Sequence, residues 1–338
     1  MRCLLVILLL LSACGGGELT RVNYFEGREG IHTEFGPNTP PRTLYEDSSF
    51  MIGINMHNKG AFDTSGELMV EYDTFVFKEP EPSSFWEPST SRQGVIVQEF
   101  SLRGKQPDFP RGEMGFVEGG FLEVREVDGL RESTTTRITA SVCYPYRTQL
   151  TDFFCIDSDV FGIGQNAVCR ARPYHTYSGQ GAPVIIDRVT PDVIPRGSAR
   201  DTQETIIPVL DETGNLVEVR REEVDTRQII LQPHFEISIR NVGRGLVFGT
   251  DDGLSACTDA NQRTMGQVHV SANMLDLNLT CSPNPVIIRG GEATTRCFVE
   301  PDDWFYTSTS YMDVLTVYLD YYYLDQTSTE VRVNRLRR

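Results

Sequence analysis

The amino-acid sequence predicts an all-β chain of two tandem β-sandwich domains, and three observations carry that prediction. Helical periodicity is nearly absent: almost every apolar stretch is short, β-branched or aromatic, and closed by Gly, Pro, Asn or Asp. Where the pattern is clearest, apolar residues alternate. Phe50, Ile52, Ile54 and Met56 do so in FMIGINMHNKG, which is the period of a half-buried strand. The outline of the first half also recurs in the second. ITASVCYPYRTQLTDFFCI, from Ile138, aligns without a gap on LTVYLDYYYLDQTSTEVRV, from Leu315, at an offset of 177 that sets Tyr144 on Tyr321 and Tyr146 on Tyr323. Upstream, QPHFEISIRNVG aligns on the first strand at an offset of 183, setting Asn58 on Asn241 and Gly60 on Gly243.

Taken in order, MRCLLVILLLLSAC has one basic residue, Arg2, then an apolar run from Cys3 to Leu11 and small residues before a cysteine, the layout of a secretory signal over residues 1–13. The run falls short of the roughly 20 residues that a membrane-spanning helix needs. Residues 14–48 read as an extended tether, flexible at Gly15-Gly16-Gly17 and broken at Gly36-Pro37 and Pro40-Pro41. Residues 49–157 form the first domain. After the strand at Phe50 come GELMVEYDTFVF, GVIVQEFSL, GFVEGGFLEVREV and TTTRITASVCYPYRTQLTDFFCID, with loops at Lys78 to Ser91 and Lys105 to Arg111. Residues 158–182 are a cysteine-containing connector. Residues 183–338 form the second domain, entered by APVIIDRVTPDVIPRGS, with a hairpin around Thr213-Gly214-Asn215 that the first half lacks.

Each Asn-x-Gly is expected to supply a turn, the glycine being free to take positive φ. Tyrosine at every second position of the closing strands should put rings on one face and hydroxyls near the rim.

Charge narrows the partners. The chain of 338 residues carries 31 basic and 47 acidic side chains, a net charge of −16, which argues against nucleic acid and against polybasic docking on anionic lipid. With 39% hydrophobic residues it has the means to build cores.

Leu11-Ser12-Ala13-Cys14 resembles the lipobox of prokaryotic lipoproteins. The resemblance implies that Cys14 is alkylated by diacylglyceryl and becomes the first mature residue, anchored by palmitate-type acyl chains; two or more chains are needed for lasting attachment. Six cysteines then remain: Cys143, Cys155, Cys169, Cys257, Cys281 and Cys297. An even number in an exported chain, without Cys-x-x-Cys spacing, favours disulfides over metal. The preferred pairing is Cys143 with Cys155, Cys281 with Cys297, and Cys169 with Cys257.

A strand ending in Asn-x-Gly and followed by an outgoing strand, as in ISIRNVGRGLVF and INMHNKGAFDTSGELMVEYD, resembles the opening hairpin of immunoglobulin-like modules of prokaryotic surface proteins, the CARDB type among them. The likeness covers a short stretch of each half and implies adhesion or display without catalytic residues.

Catalytic patterns are missing. His32, His57, His175, His234 and His269 show no metal-ligand spacing, and neither a Gly-x-Ser-x-Gly elbow nor a phosphate-binding Gly-x-x-x-x-Gly-Lys occurs. Asp157-Ser158-Asp159 and Asp251-Asp252-Gly253 read as turn acids rather than calcium loops. Asn278-Leu279-Thr280 is a glycosylation sequon on an expected strand. The expected function is that of a non-enzymatic surface lipoprotein, without cofactor or metal, held to the membrane by its lipid anchor and contacting a surface protein or glycan. The alternative is an accessory lipoprotein of an envelope secretion, pilus or transport complex.

Overall fold

The computed structural model describes residues 23–336 except 79, 81–86, 89–91, 127–131, 157–167, 211–215, 259–262, 275–276, 301–304 and 307–309. The signal, Cys14, the glycine tether, Asp157-Ser158-Asp159 and Thr213-Gly214-Asn215 lie outside the described residues.

The first half contributes β1 (Ile31–Phe35), β2 (Thr43–Tyr45), β3 (Ser49–Asn58), β4 (Thr64–Glu71), β5 (Glu87–Pro88), β6 (Val95–Leu102), β7 (Met114–Glu123) and β8 (Ser133–Ile156). The second contributes β9 (His175–Thr176), β10 (Val184–Leu210), β11 (Leu216–Asn241), β12 (Leu246–Phe248), β13 (Gln267–Met274), β14 (Leu277–Ser282), β15 (Val286–Ile287), β16 (Glu292–Phe298), β17 (Phe305–Tyr306) and β18 (Tyr311–Asn334). Among the described residues one short helix, α1 (Ser255–Thr258), interrupts them. The chain is nearly all β, in large antiparallel sheets. β1-β3-β7 forms one sheet, and the other runs β5-β6-β4-β8-β18-β13-β14-β16-β11-β10-β9.

β1 and β2 correct an expectation, since both fall inside residues 14–48, where the sequence suggests only a tether. Ile31 and Leu44 are buried, β1 pairs along β3, and β2 runs parallel to the end of β18. Both strands are too short to show a period of their own. They are extended because distant strands offer them partners.

The pairings carry the internal repeat. β8 and β18 are antiparallel along their whole length, with Tyr144 opposite Tyr323, Pro145 opposite Tyr322 and Tyr146 opposite Tyr321. The offset of 177 exchanges the two tyrosine pairs and maps Pro145 onto Tyr322, so an approximate twofold axis passes through that central pair. The register with Ile31 opposite Asn58 recurs as Val184 opposite Asn241, and Ile54 opposite Val117 recurs as Ile237 opposite Thr295. β4 recurs in two pieces: β12 and β13 both pair with β18, and the chain between them makes an excursion that carries α1. The main apolar cluster draws on both halves, from Ile31 to Val333, so the halves share a core as well as a strand pair.

All six downstream cysteines are bonded, as Cys143–Cys257, Cys155–Cys169 and Cys281–Cys297. The last pair matches expectation, the two residues facing each other in register across β14 and β16. The other two expected pairings are wrong for a geometric reason. Cys143 and Cys155 lie on one unbroken strand, where twelve steps span about 40 Å, far beyond the reach of a bridge. Cys155 instead closes on Cys169 in the connector. Cys143 holds Cys257 of α1, which packs with Met69, Val95, Phe248 and Leu324 in a small second cluster.

The expected hairpin in the second half is present, β10 pairing with β11 out to Leu210 opposite Leu216. Beyond Gly197 no other described strand pairs with it. The thirteen residues Ser198–Leu210 of β10 there span about 43 Å.

Candidate functional site

At the twofold centre four tyrosines, Tyr144, Tyr146, Tyr321 and Tyr323, meet with ring centroids 5.8–6.4 Å apart. Their positions follow from the period of two along β8 and β18, which sends alternate residues into the core. The hydroxyls are buried rather than rim-exposed, and each accepts a hydrogen bond from a backbone amide. Ile31 donates to Tyr144 (3.1 Å) and Val184 to Tyr321 (3.3 Å), the same bond in the two halves. Phe62 donates to Tyr146 (3.3 Å) and Gly245 to Tyr323 (2.7 Å), again the same bond twice. Burial pushes all four phenols up, Tyr323 to about 12.

The Asn-x-Gly turns rest on these rings. Asn58 Nδ2 donates to the Phe62 carbonyl (2.9 Å) and its Oδ1 accepts from the Gly60 amide (3.1 Å). Asn241 repeats this with Gly245 (3.0 Å) and Gly243 (3.2 Å). Neither Gly60 nor Gly243 has positive φ, contrary to expectation. Glycine is needed for room, because a Cβ at Gly60 would run into the Tyr146 hydroxyl and one at Gly243 into that of Tyr323.

One pocket borders the cluster and a second lies further along β8. The first, of about 530 Å³, lies among Gly30, Tyr144, Gly243, Tyr323 and Asp325, with Arg28, His32 and Arg244 also on its wall. Burial raises the Asp325 carboxyl. The second, of about 540 Å³, opens beside Asp152 and Tyr177. Asp152 Oδ2 accepts from the Tyr177 hydroxyl (2.7 Å) and faces His175 Nδ1 (3.0 Å), while the His175 ring lies against Phe154 (centroids 4.3 Å). Burial first, then the Asp152 carboxylate, raises the Tyr177 phenol. Through these contacts Asp152 of β8 braces β9 and Tyr177 beside it.

No family model matches the chain, and no curated protein does. Among solved structures, a chain of the CaDoc0917–CaCohA2 complex has a TM-score of 0.23 at 12% identity, covering 34% of this chain and 85% of its own. The GH31 alpha-xylosidase from Xanthomonas citri has a TM-score of 0.09 at 10% identity, covering 89% of this chain and 38% of its own. Similarities this low carry no functional argument, and the site has to be read from its own geometry.

The remaining candidate residues are dispersed. His57 Nε2 lies 2.8 Å from the Arg111 carbonyl, His32 lies 3.9 Å from Glu34, and His269 faces Asp251 at 3.5 Å. His234 stacks on Phe298, and burial lowers its pKa. Asp252 accepts from Thr264 within the excursion. No three metal-ligating side chains come together among the described residues. Asn278 is exposed on β14. The sequence reading overlooked Asp325 and the Asp152–His175–Tyr177 group. A signal for the first was present, since the offset of 177 sets Asp325 on Thr148, a charge at a core-facing position.

Proposed function

We propose that this chain is a non-enzymatic, extracytoplasmic lipoprotein. Acyl chains on Cys14 anchor it, and two immunoglobulin-like halves serve as a surface structural, adhesion or interaction module. The observation that supports this most directly is that every cysteine from Cys143 onward is bonded to another. That pattern suits an oxidising compartment and leaves the cysteine of Leu11-Ser12-Ala13-Cys14 outside the framework. The paired halves, locked through β8 and β18, suit a rigid spacer. The β10–β11 hairpin favours a second reading, an accessory lipoprotein of an envelope secretion, pilus or transport complex, because a long ladder whose outer part no described strand pairs can add a strand to a partner sheet.

Fractionation of cells fed a labelled fatty acid tests the anchor. The parent is expected in the membrane fraction carrying label, and Cys14→Ser is expected to lose both. A Cys14→Ser variant that fractionates and matures like the parent would overturn the proposal.

A further inference from the structure

The two ends of the tyrosine cluster are related by the twofold axis, yet they are not filled alike. At the Tyr146 end the chain itself occupies the niche. The Gly181 carbonyl accepts from the Tyr146 hydroxyl (2.9 Å) and from the Ala61 amide (2.9 Å). Beside it Thr148 donates to the Val184 carbonyl (2.6 Å) and lies 3.2 Å from the Tyr321 hydroxyl, whose proton it therefore accepts.

At the other end the matching groups are Tyr323, Arg244, Asp325, Ile31 and Tyr144. The offset of 153 that carries Ile31 onto Val184 sets Arg28 in the place of Gly181. Gly181 holds φ +68°, a conformation an arginine adopts only at a cost. The segment at Arg28 takes another path, its Nε donating to the Ser178 carbonyl (2.7 Å). Among the described residues nothing accepts from the Tyr323 hydroxyl or from the Arg244 amide, and the pocket of about 530 Å³ occupies the space where Gly181 sits in the other half. Tyr144, fully buried on the pocket wall, accepts from Ile31 and has no described acceptor for its own proton. Two donors, the Tyr323 hydroxyl and the Arg244 amide, thus face the place of a missing oxygen, with the Tyr144 hydroxyl and Asp325 on the same pocket wall.

We propose that this pocket binds the main chain of an extended, glycine-bearing peptide, whose carbonyl oxygen takes the place that Gly181 O holds in the other half. The Tyr323 hydroxyl and Arg244 amide donate to that oxygen, and a neighbouring peptide N–H donates to Asp325. Glycine is required at the buried position. A Cβ on Gly181 would come within 2.7 Å of the Ala61 Cβ, and Arg244 stands where Ala61 does. This deepens the interaction role proposed above by naming a partner chemistry, and it does not depend on the anchor.

The probe is acetyl-Ser-Gly-Gln-Gly-Ala-amide, the sequence of residues 178–182, titrated calorimetrically into the full, disulfide-bonded chain. Saturable one-to-one binding with a dissociation constant on the order of 1 mM or tighter is expected. Alanine in place of the second glycine of the probe should weaken it about tenfold or more. Asp325→Thr, which copies the satisfied Thr148 arrangement, should weaken binding while raising the melting temperature. Absence of saturable binding, or equal affinity for the glycine and alanine peptides, overturns the proposal. Loss of the peptide site would leave the anchor standing, and loss of the anchor would leave the peptide site standing.

Discussion

Gly60 and Gly243 show how much of the fold turns on single atoms. Each lies against a tyrosine hydroxyl with no space for a methyl group, so Gly60→Ala and Gly243→Ala should each lower stability by about 2–4 kcal/mol in denaturant unfolding. Gly290 is the control. Its φ is +62° but nothing lies within 4 Å of an added Cβ, so Gly290→Ala should cost about 1 kcal/mol, the backbone contribution alone. The tyrosines themselves set an alkaline limit. Their folded pKa values lie above the unfolded value near 10, so the neutral phenols stabilise the fold fully below about pH 10. That stabilisation is lost as pH rises through the folded values, near 12 for Tyr323. Ultraviolet titration should show the buried group ionising only together with unfolding, above pH 10. Asp313, core-facing and raised by burial, has the same sign. Asp313→Asn keeps an acceptor for the Val314 amide and should be more stable than the parent at pH 7, with the advantage shrinking toward pH 3.

Strands whose signal is local were legible in the sequence, and strands made by distant partners were not. β3, β8, β11 and β18 announce themselves by alternation and by the repeat, whereas β1 and β2 exist because β3 and β18 receive them. The same distinction explains the disulfides. Cys281 and Cys297 flank a turn and could be paired from sequence, while Cys143–Cys257 bridges 114 residues and depends on an excursion that only the fold places beside β8. In the chain-entropy model the longer loop contributes more, about 4–5 kcal/mol against about 3 for the shorter ones. Replacing Cys143 and Cys257 together by serine should therefore lower the melting temperature more than replacing Cys281 and Cys297. The outer part of the β10–β11 hairpin has no described strand beside it. Replacing residues 201–226 by Asn-Gly, which closes Arg200 on Arg227, should leave the melting temperature of the body within a few degrees of the parent's.

At the level of the whole molecule, the repeat was readable as two offsets, but the alignment alone did not say how the halves meet. Antiparallel pairing of β8 with β18 makes the two copies one body with a shared core. It also makes the two ends of the tyrosine cluster comparable, so that a departure such as Asp325 in the place of Thr148 stands out. The acidic balance, −16 over the chain, gives such a body a field that repels polyanions. The proposed anchor and the oxidised cysteines make a joint claim about compartment, and intact-mass spectrometry of the mature protein, before and after reduction, tests it most directly. The account predicts a chain that begins at Cys14, carries acyl mass, and gains six hydrogen atoms on reduction, two for each of the three bridges. An unacylated chain whose mass does not change on reduction would contradict it.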